Sequence, residues 1–209
     1  MPLDIEEYRS AARKRLPHGV FEYLDRGTQR ETDVQYNRKA LNSVRLKPGV
    51  LMGTASRRQT TYLFGETLDS PIVIAPTAFA GLLWHKGKIA VVRAASTRRI
   101  PFCAATEAIT SVQDIISGAG GNVWFQLYLW RDTAQSIALV DRAWDKGVKT
   151  LVLTVHTPVY PKRIDNHRNG FSVPLKLTMR NTLGVRFSTA LHGRERLARP
   201  TSARSYPPN

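Results

Sequence analysis

From Pro71 onward, short and continuously apolar runs alternate with amphipathic stretches. The apolar runs are residues 72–75, 101–105, 122–128 and 150–155, each short enough for a strand and too short for a helix. Between them, 88–98, 111–117 and 133–146 carry helical spacing, and the last of these carries Ile137, Val140 and Trp144 on one face. Ahead of this regular part, 4–15, 20–25 and 32–41 read as three helices. Asp4 can cap the first, which carries Ile5, Tyr8 and Ala12 on one face, and Val34 and Leu41 line one side of the third. Residues 59–64 are strand-like and stop at Gly65, which suggests a small hairpin. Beyond Pro158 the strand-plus-helix period ceases, and no fifth strand is expected.

Runs that are apolar throughout, rather than at every second position, fit a parallel sheet covered on both faces. Strand starts at 71, 101, 122 and 150 are spaced as in βαβ units. The predicted class is therefore α/β with about four βα units, preceded by an N-terminal helical region and a hairpin. Four units make either a small open sheet or half of a barrel that closes at about eight strands. In both cases ligands bind beyond the carboxyl ends of the strands. That directs attention to residues 76–80, 106–110, 126–128 and 154–165. The chain divides in this reading into 1–70 (helices and hairpin), 71–175 (the βα units) and 176–209 (a variable basic loop or tail).

Charge adds one constraint. The 31 Lys and Arg against 16 Asp and Glu give a formal net charge of +15. Part of this excess lies in the tail, where Lys176, Arg180, Arg186, Arg194, Arg196, Arg199 and Arg204 face the single acid Glu195. No nucleic-acid-binding spacing accompanies the charge, so no nucleic-acid partner is expected, whereas peripheral contact with an anionic membrane surface suits it. Cys103 is the only cysteine, which excludes an internal disulfide and a multi-cysteine metal site, and no metal is expected. No apolar run reaches membrane-crossing length, and the first residues lack the features of a signal peptide. The expected location is the cytoplasm, possible membrane contact being on its inner face.

Four motifs in register carry a resemblance. Val20-Phe21-Glu22-Tyr23, Ala75-Pro76-Thr77-Ala78, Trp124-Phe125-Gln126-Leu127-Tyr128 and Leu153-Thr154-Val155-His156-Thr157-Pro158, followed by Arg163 and Asp165, resemble the FMN-dependent 2-hydroxy acid dehydrogenases and oxidases. The resemblance runs from about residue 4 to about residue 175 and implies a truncated (β/α)8 TIM barrel with FMN at its carboxyl mouth. It also implies oxidation of a small L-2-hydroxy acid of the lactate, glycolate or mandelate type to the 2-keto acid, with an unspecified electron acceptor and frequent homo-oligomers. By the same resemblance Pro76, Thr77, Ala78, Thr106, Gln126 and Thr154 belong to the cofactor, and Tyr23, Tyr128 and Arg163 to the substrate. Tyr128 and His156 fall at catalytic positions. The residue types suit the chemistry: a carboxamide both donates and accepts at the flavin's polar edge, and an arginine fork clamps a carboxylate.

Departures from the family pattern set a second expectation. His156 stands where the family has an aspartate, Ala105 where a serine is usual, and Glu107 where some members have an aromatic residue. The resemblance places the flavin-contacting lysine, the catalytic histidine with its arginine, and the phosphate-binding loops further along than this sequence reaches. The chain alone is thus expected to be inactive, as an incomplete product, a split reading frame or a fragment. The alternative is a non-catalytic module that binds a partner or an anionic membrane.

Overall fold

The computed structural model describes residues 2–172 except 52, 54, 157, 158 and 160. The predicted basic tail at 176–209 lies outside the described residues. Two compact units divide the chain, one from the described residues of 1–48 and 157–209, the other from 49–156.

In the first unit, α1 (Ile5–Arg15), α2 (His18–Asp25) and α3 (Thr32–Ser43) occupy the predicted positions. The Asp4 carboxylate caps α1 by accepting from the Glu7 N–H at 2.8 Å. The apolar faces expected on α1 and α3 are not buried: neither helix contains a buried residue, whereas α2 buries Val20, Phe21 and Glu22. A short helix that the sequence does not announce, α7 (Ile164–Asn169), packs on α2. Gly19 sits opposite Asn169 and Phe171 there.

The second unit holds an antiparallel hairpin, β1 (Thr61–Leu63) with β2 (Glu66–Leu68), whose turn uses Gly65 at φ +82°. Its sheet is parallel, in the order β3 (Phe102–Ala105), β4 (Val123–Tyr128), β5 (Leu151–Thr154). The strand expected at 72–75 contracts to one bridge: Ile74 donates to the Pro101 carbonyl and accepts from the Cys103 N–H, both at 2.9 Å. Pro71 and Pro76 bound this segment and bring no N–H to lengthen the ladder. Among the described residues no closed barrel forms.

Register sorts the side chains, because partners in a parallel sheet share a face and neighbours along a strand do not. Phe102, Ala104, Phe125 and Leu127 enter the main core with Val92, Ile115 and Ala143 from α4 (Gly87–Thr97), α5 (Val112–Ala119) and α6 (Thr133–Asp145). Trp124, Gln126, Tyr128, Val152 and Thr154 share the opposite face. The expectation of cover on both faces holds for β3 and β4 and fails at β5. Leu151 and Leu153 lie in register with Phe125 and Leu127, yet each is 48% exposed.

Of the three residues expected on one face of α6, Val140 packs against the core and the other two do not. Ser136 and Ala143 are buried, while Ile137 and Trp144 are 59% and 58% exposed. Small side chains let the helix lie close to β4, and the Ser136 hydroxyl accepts from the Trp130 N–H at 2.9 Å. Trp144 instead carries the Lys149 ammonium over its ring at 4.2 Å. Cys103 is buried in β3, and burial pushes its thiol up to about 11.

Candidate functional site

Three successive strand ends in the second unit are joined by side chains. Gln126, near the end of β4, is 2% exposed. Its carboxamide nitrogen donates to the Thr154 hydroxyl of β5 at 2.8 Å, and its carboxamide oxygen accepts from the Thr106 N–H at 3.3 Å. That N–H is shared with the Gln126 main-chain carbonyl at 3.0 Å. The Thr106 hydroxyl donates to the same carbonyl at 2.6 Å and accepts from the Tyr128 N–H at 3.1 Å. Thr106 thus continues the β3–β4 ladder past the last residue of β3 with a hydroxyl in place of a peptide.

A buried carboxamide with a donor and an acceptor engaged has a fixed orientation. One N–H of the Gln126 amide group remains beyond the bond to Thr154. Tyr128 and His156 meet at the same strand ends: the phenol oxygen is 3.5 Å from His156 Nε2 and the ring centroids are 5.8 Å apart. At that separation the hydrogen bond is long, and the pair is mainly a tilted ring contact.

Pro76 and Thr77 are exposed and Ala78 is half-buried, in the segment after the Ile74 bridge. Thr77 is held from beneath by Lys88 in the first turn of α4, whose ammonium donates to the Thr77 carbonyl and, at 2.7 Å, to its hydroxyl. Lys88 is 2% exposed. It carries no motif, and a lysine in the first turn of a helix reads from sequence as a solvated surface residue. Its burial could be found only from the structure.

The other residues that the motifs single out, Tyr23 and Arg163, lie in the first unit. Tyr23 of α2 stacks on Phe171, with centroids 4.6 Å apart and an interplanar angle of 21°. The Arg163 guanidinium lies over the Tyr23 ring at 4.8 Å and donates to the Arg26 carbonyl at 2.8 Å. Arg26 in turn is clasped by Glu22 and Glu31, both at 2.9 Å. The Lys162 carbonyl accepts from the Gln29 N–H at 3.0 Å, so the chain before α7 is tied to the segment after α2. Tyr23 and Arg163, 140 positions apart, are brought together as a cation on an aromatic face. Asp165 pairs with Arg168 at 3.5 Å.

Among the described residues no cluster of His, Cys, Asp or Glu is arranged to hold a metal ion, and no helix is long and apolar enough to cross a membrane.

Comparison with known proteins places the chain in a family. The chain is 35% identical over 168 residues to an L-lactate dehydrogenase of Pseudomonas syringae pv. syringae, covering 80% of this chain and 44% of that protein. It is 34% identical to the (S)-mandelate dehydrogenase of Pseudomonas putida, covering 97% of this chain and 53% of that one. The chain thus spans about half the length of these relatives. The crystal structure of the monotopic membrane protein (S)-mandelate dehydrogenase superposes with a TM-score of 0.83 at 32% identity, over 97% of this chain and 56% of that one. A mandelate oxidase structure superposes with a TM-score of 0.76 at 32% identity, over 88% and 58%. The α/β fold is therefore similar to that of these dehydrogenases and oxidases. The sequence profile of the FMN-dependent dehydrogenases matches residues 12–205, and the chain belongs to that family.

Proposed function

We propose that this chain supplies the N-terminal part of the flavin and substrate site of an FMN-dependent 2-hydroxy acid dehydrogenase, as the first units of a (β/α)8 barrel. The observation that carries the reading is the buried Gln126 carboxamide, fixed between Thr106 and Thr154 at adjoining strand ends. The polar edge of an isoalloxazine ring presents both acceptors and a donor. A carboxamide with hydroxyl neighbours is a donor set that fits it. In this assignment Gln126, Thr154 and Thr106 hold that edge, and Pro76, Thr77 and Ala78 present backbone to the ring. FMN, when bound, supplies the two-electron acceptor for oxidation of the substrate carbinol.

The other roles follow from charge and reach. Arg163, oriented by its bond to the Arg26 carbonyl and its place over Tyr23, offers a cationic fork for a substrate carboxylate. Tyr23 offers a phenol to the same carboxylate. The Tyr128 phenol orients the substrate, and His156 stands beside it at the position where the carboxylate is usual in the family. The substrate class is a small L-2-hydroxy acid of the lactate, glycolate or mandelate type. Because the family's histidine base and phosphate loops are not among these residues, the chain alone is proposed to bind more readily than it turns over. A cytoplasmic location with peripheral contact at the inner membrane face is part of the reading. The net charge of +15 and the similarity to a monotopic membrane protein support it.

The test is visible absorbance of the purified chain after FMN is added and free flavin removed, with sizing and with assays on lactate, glycolate and mandelate. Retained flavin in a compact species, lost in Gln126→Leu, is expected. A compact chain that retains none, and binds anionic vesicles in a salt-sensitive way, would instead favour the non-catalytic module.

A further inference from the structure

Lys88 stands where local physics disfavours a lysine. It lies in the first turn of α4, the positive end of the helix macrodipole, and that turn contains no acid. It is 2% exposed, and no carboxylate pairs with it among the described residues. Burial holds its ammonium below the ordinary lysine range, and the nearby Cys103 thiol, itself pushed up by burial, supplies no compensating charge near neutrality. What it gains is the Thr77 carbonyl, the Thr77 hydroxyl and the face of Phe102, whose centroid is 5.7 Å away. A buried cation with two neutral acceptors and an aromatic ring is costly to keep.

The bond to the carbonyl has a geometric consequence. In a trans peptide C=O and N–H point to opposite sides. With the Thr77 carbonyl turned inward onto Lys88, the N–H of the same peptide, that of Ala78, is aimed outward. Neither this N–H nor any other group of Ala78 has a hydrogen-bond partner among the described residues. An exposed loop thereby presents a fixed, unspent donor, with a positive charge directly behind it.

We infer that Lys88 is a positioning residue of the flavin site, gripping Thr77 so that the Ala78 N–H faces the electron-rich edge of the isoalloxazine ring and placing a cation behind that loop. The inference rests on the flavin reading given above. It adds a residue from α4 to a site otherwise drawn from strand ends. A cation there favours the reduced, more electron-rich flavin over the oxidised one, and so raises the potential of the bound cofactor.

The test uses the full 209-residue chain as wild type, Lys88→Met and Thr77→Val, each checked for native circular dichroism. Without flavin, amide spectra should show Lys88→Met shifting Thr77 and Ala78 well beyond Gln126 and Thr154. Unchanged Thr77 and Ala78 resonances in a folded variant would overturn the grip. With FMN, quenching of flavin fluorescence should show roughly tenfold weaker binding in Lys88→Met, the loss of a charge-assisted hydrogen bond. The midpoint potential of the flavin that remains bound should move to more negative values, a change that a purely structural lysine would not produce. Wild-type affinity and potential in a folded Lys88→Met protein would sink the flavin role. Failure of the wild type to bind FMN would remove the flavin reading itself, and the grip would then be judged on the amide spectra alone. If Lys88→Met does not fold, Thr77→Val, which removes one of the two acceptors, should show a smaller loss in the same direction, and no loss would overturn the assignment.

Discussion

Two buried polar side chains, Gln126 and Lys88, carry most of what distinguishes the second unit from a plain parallel sheet. Replacing Gln126 by leucine leaves the Thr154 hydroxyl without its donor and the Thr106 N–H with the main-chain carbonyl of residue 126 as its one acceptor. The expected cost is about 1–3 kcal/mol in urea unfolding; an unchanged midpoint would mean that the three strand ends are not coupled. Lys88 makes a prediction in alkali. Its folded-state value lies below the ordinary 10.5, so over that interval the unfolded chain binds more protons and stability rises with pH. Cys103 acts in the opposite sense: its thiol titrates at about 11 in the fold against 9.0 ordinarily, so stability falls across that interval. The unfolding free energy of wild type should therefore rise relative to that of Lys88→Met as pH climbs through the lysine window. A difference that stays constant with pH would show that Lys88 does not titrate differently in the two states.

The elements were legible in the sequence to unequal degrees. β4 and β5 begin and end within about one residue of their apolar runs, because a buried parallel strand needs an unbroken run and tolerates little else. The 72–75 strand was overread: its composition is right, but the length of a ladder is set by the partner and by prolines at both ends. α7 was missed since six residues with Ile164 as their one apolar member carry no helical period of their own, and its place is set by packing on α2. On α6 burial does not follow size, because close approach to β4 selects Ser136 and Ala143. Ala143→Leu should cost about 1–3 kcal/mol by overpacking, while Ile137→Ser should stay within about 0.5 kcal/mol. Equal effects on thermal unfolding would count against that packing. Of the site, the strand-end residues could be named from motifs, whereas the Thr106 ladder extension, the stack of Arg163 on Tyr23 and the burial of Lys88 depend on contacts that no local pattern encodes.

At the scale of the whole molecule, β5 is the feature that governs behaviour in solution. Leu151 and Leu153 project half-exposed from a strand that, among the described residues, is paired on one side only, and Ile137 and Trp144 add apolar surface on α6. Unpaired edges with apolar neighbours promote association. Sedimentation of the purified chain should accordingly depend on concentration, and Leu151→Lys with Leu153→Lys should suppress that dependence while leaving the secondary structure intact. If both proteins sediment alike as monomers, the edge is harmless.

The solitary thiol of Cys103 makes the molecule its own clock. Buried in β3 and largely protonated near neutrality, it is closed to alkylating reagents until β3 becomes accessible. The rate at which a maleimide or disulfide reagent modifies the native chain therefore counts openings of the sheet core, with no second cysteine to confuse the count. Any ligand that settles on the strand ends and holds the sheet shut should slow that labelling, whether or not it gives a colour or a product.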